Sequence, residues 1–360
     1  MIPTKSAFSW ACGVFNALYT QSKQENSFKC YGSEGLNEII AFREDEFMEY
    51  TLKNGKNVII RKPQVEDAEA IIHVISTADT ETPFLARNPG EFRATVEKEK
   101  QMIQNALDDV NSEWFVAEYE GKVVGQCSVG LVRRYARYRH RAEVAFVILK
   151  EYCNLGIGGK MMEECIQWCV DKGVSQMELD VVKDNERAVK MYRGFGFEIC
   201  GIIPKALRYS DGTYADEYFM VKKLYSKCGM RCDKCLLYRP NVEREDRRAD
   251  ICNVYRKMFP GYNPDPATII CDGCASEKEE IALFEPNCKA RKCVMEKGHM
   301  HCGYCENYPC DIFPAEPSEE EIIQKIEVEK QWTWEDEKLM EAYQCKKNME
   351  EFRKRLRSKI

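Results

Sequence analysis

The sequence lacks any long hydrophobic run, since no stretch of eighteen or more consecutive apolar residues occurs among its 360 residues. A transmembrane helix needs about 20 such residues, so we predict no membrane span. Basic residues are not in excess either, because 53 Lys and Arg stand against 59 Asp and Glu. Phosphate backbones bind strongly basic surfaces, so nucleic acid is not the expected partner.

A clear secretory signal is also missing. Ser9 and Asn16 interrupt the short apolar patch near the start, and no small-residue cleavage site follows it. We therefore expect a cytoplasmic protein. Residues 1–56 are interpreted as an N-terminal extension whose start could be non-native, with Met48 as the alternative initiator just before the first strand.

Cysteine is abundant, and eleven of the 19 cysteines lie between Cys228 and Cys310, many of them in C-x-x-C pairs. In a small secreted protein such a count predicts disulfides, whereas in a chain without a signal the clustering favours metal binding. Composition therefore divides the chain into a mixed segment (57–224), a cysteine-rich segment (228–313) and a charged helical tail (317–360).

Hydrophobic periodicity in the first segment indicates alternating strands and helices. The predicted strands are 58–61, 114–118, 123–132, 142–149, 176–182, 197–203 and 214–222, and the predicted helices are 65–76, 91–107, 154–171 and 184–193. This order predicts a mixed sheet with helices on its faces, an α/β or α+β fold.

A glycine-rich turn, Asn154-Leu155-Gly156-Ile157-Gly158-Gly159-Lys160, joins a predicted strand to a helix. Glycines let an anion approach the free N–H groups at the positive end of the helix dipole. Taken alone, such a turn is more often a tight connection than a phosphate site. A dinucleotide-binding Rossmann fold is disfavoured, because its G-x-G-x-x-G motif follows the first strand.

The stretch 184–197, about thirty residues later, reads DNERAVKMYRGFGF. Its N-x-x-A-x-x-x-Y-x-x-x-G-F pattern, together with the glycine turn, resembles the paired signature of the GNAT N-acetyltransferases. The resemblance implies a mostly antiparallel central sheet flanked by helices, and an enzyme that uses acetyl-CoA. One departure is Cys153, where the family often has Gln or Arg.

By this resemblance, the strands at 142–149 and 176–182 diverge and admit the pantetheine arm. The cofactor-binding residues that it implies are Phe146, Val147, Ile148, Asn154, Leu155, Gly156, Ile157, Gly158, Gly159, Lys160 and Asn185. The N–H groups of 157–160 would bind the pyrophosphate, and the backbone of 146–148 would polarise the thioester. Asn185 is also a candidate helix cap.

Two residues are the catalytic candidates. Tyr192 stands where the family commonly keeps a phenol near the sulfur, and its implied role is general acid toward the thiolate; a packed core aromatic is the alternative. Glu143 is the candidate general base for the amine, with a solvated strand-edge residue as the alternative. The loop 77–92 is the candidate acceptor-selecting loop, and the arginine-rich run 133–141 is interpreted as a solvated hairpin.

Cysteine spacing in the second segment predicts zinc bound by thiolates. One four-ligand set is Cys271, Cys274, Cys288 and Cys293; a second draws on Cys232, Cys235, Cys302 and Cys305, with Cys228 and Cys310 as substitutes. An iron–sulfur cluster is the less favoured alternative, and a radical-SAM barrel needs about 250 residues, more than follow. The segment resembles a bacterial family of unknown function and suggests a protein-binding module.

The tail begins with a capping box at Pro317-Ser318-Glu319-Glu320-Glu321 that predicts a helix, with Trp332 and Trp334 as anchors. We expect an acetyl-CoA-dependent acyltransferase that acetylates a primary amine by direct attack in a ternary complex. The acceptor could be a protein N-terminus, a polyamine, an amino acid or another small amine. The alternative is a metal-stabilised protein-binding module whose acetyltransferase domain senses coenzyme A or is inactive.

Overall fold

The computed structural model describes residues 47–258, 261–276, 280–312 and 332–357. These residues form two compact units, one of 47–192 with 197–222 and the other mainly of 223–357. No helix among the described residues has the length and apolar character needed to cross a membrane. The predicted extension before residue 47 lies outside the described residues.

The first unit is built on one eight-stranded sheet in the order β1-β2-β3-β4-β5-β6-β8-β7. Its strands are β1 (Phe47–Thr51), β2 (Asn57–Arg61), β3 (Ser112–Tyr119), β4 (Lys122–Leu131), β5 (Arg141–Ile148), β6 (Gln176–Val182), β7 (Glu198–Arg208) and β8 (Tyr214–Lys223). β5 and β6 run parallel, whereas β1 to β5 pair antiparallel in succession. The predicted mixed, mostly antiparallel sheet is confirmed.

Four helices belong to this sheet: α1 (Ala68–Glu81), α2 (Val96–Asp108), α3 (Ile157–Asp171) and α4 (Glu186–Gly194). Ile71 of α1, Ile103 of α2 and Val116 of β3 form part of one buried cluster. Cys165 of α3 contacts Cys127 of β4, with 3.6 Å between the sulfurs. Successive strand residues face opposite sides of a sheet, so α1 and α3 cover different faces.

Two boundaries differ from the sequence prediction. The strand β1 (Phe47–Thr51) pairs with β2, so the sheet starts ten residues before the predicted domain boundary at 57 and includes Met48. Helix α2 begins at Val96 rather than near 91, because the Thr95 side chain accepts a hydrogen bond from the Lys98 N–H at 3.3 Å and caps the helix there.

In the described part of the second unit there are five short helices: α5 (Arg239–Arg244), α6 (Arg248–Met258), α7 (Lys289–Glu296), α8 (Trp334–Met340) and α9 (Cys345–Arg357). Its core places Tyr255 of α6 beside Met340 and Tyr343 from the C-terminal part of the chain. The hydroxyl of Tyr255 donates to that of Tyr343 at 2.8 Å. Residues 332–357 therefore fold with the cysteine-rich segment.

The predicted start of the tail helix at Pro317 lies outside the described residues. Of its two predicted anchors, Trp332 packs against the core of the second unit. Trp334 is 68% exposed and carries the Lys338 ammonium 5.0 Å from its ring centre. Only the first of these tryptophans acts as an apolar anchor.

Candidate functional site

The parallel strands β5 and β6 diverge. Their described pairing ends at Glu143 opposite Glu178, although β5 continues to Ile148 along β4. A strand edge that leaves its neighbour has backbone donors and acceptors to offer to an extended ligand. The result is a V-shaped gap beside Phe146, Val147 and Ile148, as predicted for a pantetheine arm.

A cleft of about 350 Å³ lies at the wide end of this gap. Ile148 and Lys150 line it from the end of β5, and Asn185 and Arg187 line it from the start of α4. Glu81 lines it too, and its carboxylate accepts the Lys150 N–H at 2.7 Å. The loop after α1 is thereby attached to the strand that borders the gap.

The glycine-rich turn lets a ligand approach the start of α3 closely. Asn154 and Gly156 both take left-handed backbone conformations, with φ of 65° and 99°, and Gly156 caps the helix. Alternating backbone conformations of this kind orient successive N–H groups into an anion-binding concavity. Leu155 lies between them in the turn.

The first N–H groups of α3, at Ile157, Gly158 and Gly159, have no partner within a regular helix. The Lys160 N–H already donates to the Gly156 carbonyl at 3.2 Å. Of the N–H groups predicted at 157–160 to bind the pyrophosphate, those of 157–159 therefore remain as candidate donors. A Cβ on Gly158 would lie 3.1 Å from the Met191 sulfur. This glycine thus permits tight packing as well as access to the backbone.

Cys153, the departure from the family pattern, has a local structural role. Its thiol donates to the Leu149 carbonyl at 3.5 Å, which closes the turn after β5. Burial raises the pKa of this thiol. The cysteine leaves the backbone donors of the turn in place.

Asn185 serves as a helix cap. Its side-chain oxygen accepts the Ala188 N–H at 3.2 Å, at the start of α4. The same residue lines the cleft at the wide end of the gap. Both roles predicted for it are geometrically compatible.

Tyr192 lies buried on α4. Its ring centre is 6.3 Å from that of Phe146 on β5 and 5.8 Å from that of Phe197. Burial, followed by the nearby thiols of Cys165 and Cys127, raises the pKa of the phenol. Tyr192 therefore holds its proton at neutral pH, beside the strand that borders the gap.

A second cleft, of about 630 Å³, lies where the pairing of β5 and β6 ends, since its lining includes the last pair, Glu143 and Glu178, and also Ala145 and Asp180 beyond it. Trp114, Ser128 and Glu143 line it from three adjacent strands, and Asp180 and Phe219 line it from β6 and β8. Trp114 also packs against the cluster that contains α1. The cleft thus lies on the sheet face that α1 covers.

Three carboxylates at or near this cleft have elevated pKa values. Burial, then Glu178 and Asp180, raise the pKa of Glu143. Burial and Glu178 raise the pKa of Asp180, and burial and Asp180 raise that of Glu217. Groups of this kind become more stable when a cation arrives between them.

Glu178 is the buried member of the group, and it forms a two-point ion pair with Arg141, one contact of which measures 2.6 Å. Sequence reasoning found Glu143 but missed Asp180 and Glu217. The alternation of Glu178 and Asp180 along β6, next to the strand that carries Glu143, was the available signal.

The arginine-rich run 133–141 forms the connection between β4 and β5. Arg134 pairs with Asp109 at 3.1 Å, Arg133 lies 5.1 Å from the Tyr138 ring centre, and Arg141 pairs with Glu178. These local partners fit the predicted solvated hairpin.

The cysteines of the second unit lie in two groups, and these groups differ from the two ligand sets predicted from the spacing. The first group surrounds Cys274: burial and the thiols of Cys228 and Cys288 raise the pKa of the Cys274 thiol to about 12. The Gly273 N–H donates to the Cys271 sulfur at 3.4 Å, and the Lys227 N–H donates to the Cys274 sulfur at 3.2 Å.

The remaining predicted ligands lie elsewhere in the unit. Cys293, Cys302, Cys305 and Cys310 line one small cavity. Cys235 is buried in the apolar core with its sulfur 3.4 Å from the Tyr343 hydroxyl. Cys232 stands at the start of a 3₁₀ turn, Cys232–Lys234. As their side chains stand, no three His, Cys, Asp or Glu residues among those described are grouped to hold a metal ion.

Two family models match the chain. The model of the acetyltransferase (GNAT) family covers residues 77–197, which include the gap, the glycine turn and Tyr192. A model of a protein family of unknown function, DUF3795, covers residues 224–315. The second match ends before α8 and α9, which pack into the same unit.

Individual proteins are similar to the first unit. The L-amino acid N-acetyltransferase AaaT of Escherichia coli K12 is 30% identical over 169 residues, 46% of this chain and 97% of that protein. A GNAT acetyltransferase structure from Streptococcus pneumoniae is 27% identical, with a TM-score of 0.44, over 46% of this chain and 99% of that one. The acetyltransferase yncA of Salmonella typhimurium, solved with its cofactor acetyl-CoA, is 20% identical with a TM-score of 0.42, over 47% and 94%.

Proposed function

Because the chain belongs to the GNAT acetyltransferase family and is an acyltransferase, we propose that it moves an acetyl group from acetyl-CoA to a primary amine. The observation that supports this most strongly is the divergence of β5 and β6 after Glu143. The gap begins beside a cleft lined by carboxylates and widens toward a helix N-terminus. Donor and acceptor can therefore meet in one ternary complex.

The donor site is proposed from the wide end of the gap. The N–H groups of Ile157, Gly158 and Gly159 bind the pyrophosphate, where the helix dipole favours negative charge. The turn at Asn154, Leu155 and Gly156 brings these donors to the surface, and Asn185 borders the cleft. The Lys160 N–H is a weaker candidate, since it is used within the helix.

The pantetheine arm then lies along the free edge of β5 as an added strand. The backbone of Phe146, Val147 and Ile148 holds it and turns an N–H toward the thioester carbonyl. A fixed donor of this kind stabilises the negative charge that develops on the carbonyl oxygen. It costs no reorganisation when the amine attacks.

The acceptor reaches the carbonyl from the cleft that Glu143 and Asp180 line, with Glu217 close to Asp180. An amine arrives largely as an ammonium ion, and three carboxylates favour its binding. Glu143 accepts the proton that the amine must lose. Its pKa is raised and therefore lies closer to neutral pH than the pKa of an ordinary glutamate. The amine is thus deprotonated and attacks the thioester at the same place.

In the transfer step, the amine nitrogen bonds to the acetyl carbon and the carbon–sulfur bond breaks. The nitrogen's proton goes to Glu143 and on to solvent, and the sulfur leaves as a thiolate. Tyr192 supplies a proton to that thiolate, which yields coenzyme A. Burial keeps the phenol protonated at neutral pH, so its proton is in place when negative charge develops on the sulfur, and solvent then returns a proton to the phenolate.

For the acceptor we propose a primary amine, with L-amino acids first among the candidates because the E. coli relative is an L-amino acid N-acetyltransferase. Polyamines, protein N-termini and other small amines are the remaining candidates. A protein acceptor or partner would bind through the cysteine-rich unit. We place the chain in the cytoplasm, where thiols stay reduced.

We also propose that the cysteine-rich unit holds structural zinc. Soft thiolates suit zinc, and C-x-x-C pairs such as Cys271 with Cys274 place two thiols on one turn. Its described part between 261 and 312 buries few apolar side chains, namely Ala290, Val294, Cys302 and Tyr308. A bound metal would supply folding free energy that such a core does not.

The test is an initial-velocity study of coenzyme A release, with acetyl-CoA and a panel of L-amino acids, polyamines and N-terminal peptides. Direct attack predicts intersecting double-reciprocal lines and an N-acetylated product by mass spectrometry. Parallel lines would indicate an acetyl-enzyme instead. Hydrolysis of acetyl-CoA without an acetylated amine would contradict the proposal.

A further inference from the structure

A small enclosed cavity lies in the cysteine-rich unit. Its volume is about 20 Å³, and four of the residues that line it are cysteines: Cys293, Cys302, Cys305 and Cys310. The cysteines come from three separate stretches of chain. Cys293 lies on α7, Cys302 begins a 3₁₀ turn that Cys305 follows, and Cys310 comes after Tyr308. The fold places all four around one cavity, although they span seventeen positions in the sequence.

The local backbone presents the middle pair as a chelate. The turn Cys302–Tyr304 is a single 3₁₀ turn, and the Cys305 N–H donates to the Cys302 carbonyl at 3.0 Å. Two thiols at a two-residue gap on one tight turn can bind the same ion. Cys293 and Cys310 line the same cavity as this pair.

The cavity has room for a single ion. A space of about 10–15 Å³ holds one water-sized sphere, so the cavity at about 20 Å³ accommodates one ion. Four thiolates with tetrahedral geometry around a single divalent ion are the ligand set of structural zinc.

Charge supports the same interpretation. Four thiolates and one zinc ion carry a net charge of −2, which a low-dielectric site tolerates poorly without a cation nearby. Lys297 lines the cavity, and its ammonium lies 3.6 Å from the Cys305 sulfur. The lysine thereby offsets part of the excess negative charge.

We propose that Cys293, Cys302, Cys305 and Cys310 bind one zinc ion as a structural tetrathiolate centre. The proposal rests on the proposed zinc content of this unit and assigns the ligands that the sequence spacing left open. In this assignment Cys293 does not share an ion with Cys271, Cys274 and Cys288, and Cys310 is a ligand rather than a substitute for one. Binding releases the four thiol protons and requires the side chains to turn toward the cavity that they line.

The test uses the full chain, purified without chelator, and measures zinc and iron per chain by plasma mass spectrometry. Single Cys302→Ser and Cys293→Ser variants each lose one zinc ion per chain. The double variant also loses only one, because both cysteines hold the same ion. Cys252→Ser, a buried cysteine of α6 outside the cavity, is the matched control and keeps the wild-type content.

The outcomes separate this site from the broader proposal. Loss of two zinc ions in the double variant would assign the cysteines to different sites and overturn this ligand set, while zinc in the unit would stand. Absence of zinc from the wild type, or iron with sulfide in its place, would overturn both. Should the serine variants fail to fold, cobalt replacement in the wild type decides, since a tetrathiolate centre gives thiolate-to-cobalt charge-transfer bands and tetrahedral visible absorption.

Discussion

The two units of the chain position their functional groups by different means. In the first, a regular sheet and its helices place backbone groups: the gap exists because β5 and β6 stop pairing at Glu143, and the candidate anion site lies where Gly156 caps α3. In the second, short turns place cysteine side chains around a cavity. The first site is therefore a property of the fold, whereas the second depends on individual side chains.

Because of this difference, we expect metal removal to affect the two units differently. Treatment with a strong zinc chelator should unfold the cysteine-rich unit, since structural zinc contributes about 10–16 kcal/mol to small zinc domains. Acetylation of a small amine by the first unit should continue. Calorimetric unfolding and coenzyme A release measure the two effects in the same sample.

Chelator already saturated with zinc is the control for that experiment. Identical unfolding curves with free and saturated chelator would contradict a structural metal. Loss of acetylation together with the second unit would show that the two units are not independent in the way the comparison assumes.

Glu143 tests how far side chains matter in the first unit. Glu143→Gln should lower kcat by about 10² to 10⁴, the usual contribution of a general base, and leave acetyl-CoA affinity unchanged. Steady-state kinetics and a binding titration measure the two quantities. Glu97→Gln, at an exposed position of α2, is the control; equal kcat values for both variants would remove Glu143 from the mechanism.

Tyr192 sharpens the comparison further, because it is the buried side chain beside the gap. Tyr192→Phe should lower kcat by about 10² if the phenol protonates the leaving thiolate, with the acetyl-CoA dissociation constant retained. Tyr119→Phe, another buried tyrosine of the same sheet, controls for the loss of a hydroxyl. Unchanged turnover would assign Tyr192 to packing alone.

The smallest expected effect concerns the carboxylates beside Glu143. Asp180 raises the pKa of Glu143, so Asp180→Asn should lower that pKa. The base acts when deprotonated, and the acid limb of the kcat/KM profile should therefore move to lower pH. Asp108→Asn, on the exposed side of α2, should leave the limb in place; a move to higher pH in Asp180→Asn would contradict the assignment of the base.

Most of the first unit could be predicted from the sequence because its signals are local and periodic. The strand Gln176–Val182 was predicted at both ends, and the turn at Glu120 and Gly121 has the positive φ values of a tight hairpin, 50° and 75°. The strand Phe47–Thr51 was missed, because it is an edge strand defined by its pairing with β2. No local signal marks such a pairing.

The candidate sites were predictable to different degrees for the same reason. Glu143 and Tyr192 follow from motifs within single elements, but Asp180 joins the cleft, and Glu217 comes close to Asp180, only once β6 and β8 lie beside β5. The grouping of the cysteines depends on how loops between Cys271 and Cys310 fold. Spacing indicates chelating pairs, but it does not determine which pairs share an ion.

The central claim is that the glycine turn and the gap bind acetyl-CoA through the backbone. Calorimetric titration of the purified chain with acetyl-CoA tests it directly, with Gly156→Ala and Gly55→Ala compared as glycines of similar backbone strain, at φ of 99° and 77°. We predict saturable binding to the wild type and to Gly55→Ala, and a large loss of affinity in Gly156→Ala. Equal affinity in all three proteins, or no binding to the folded wild type, would contradict the account.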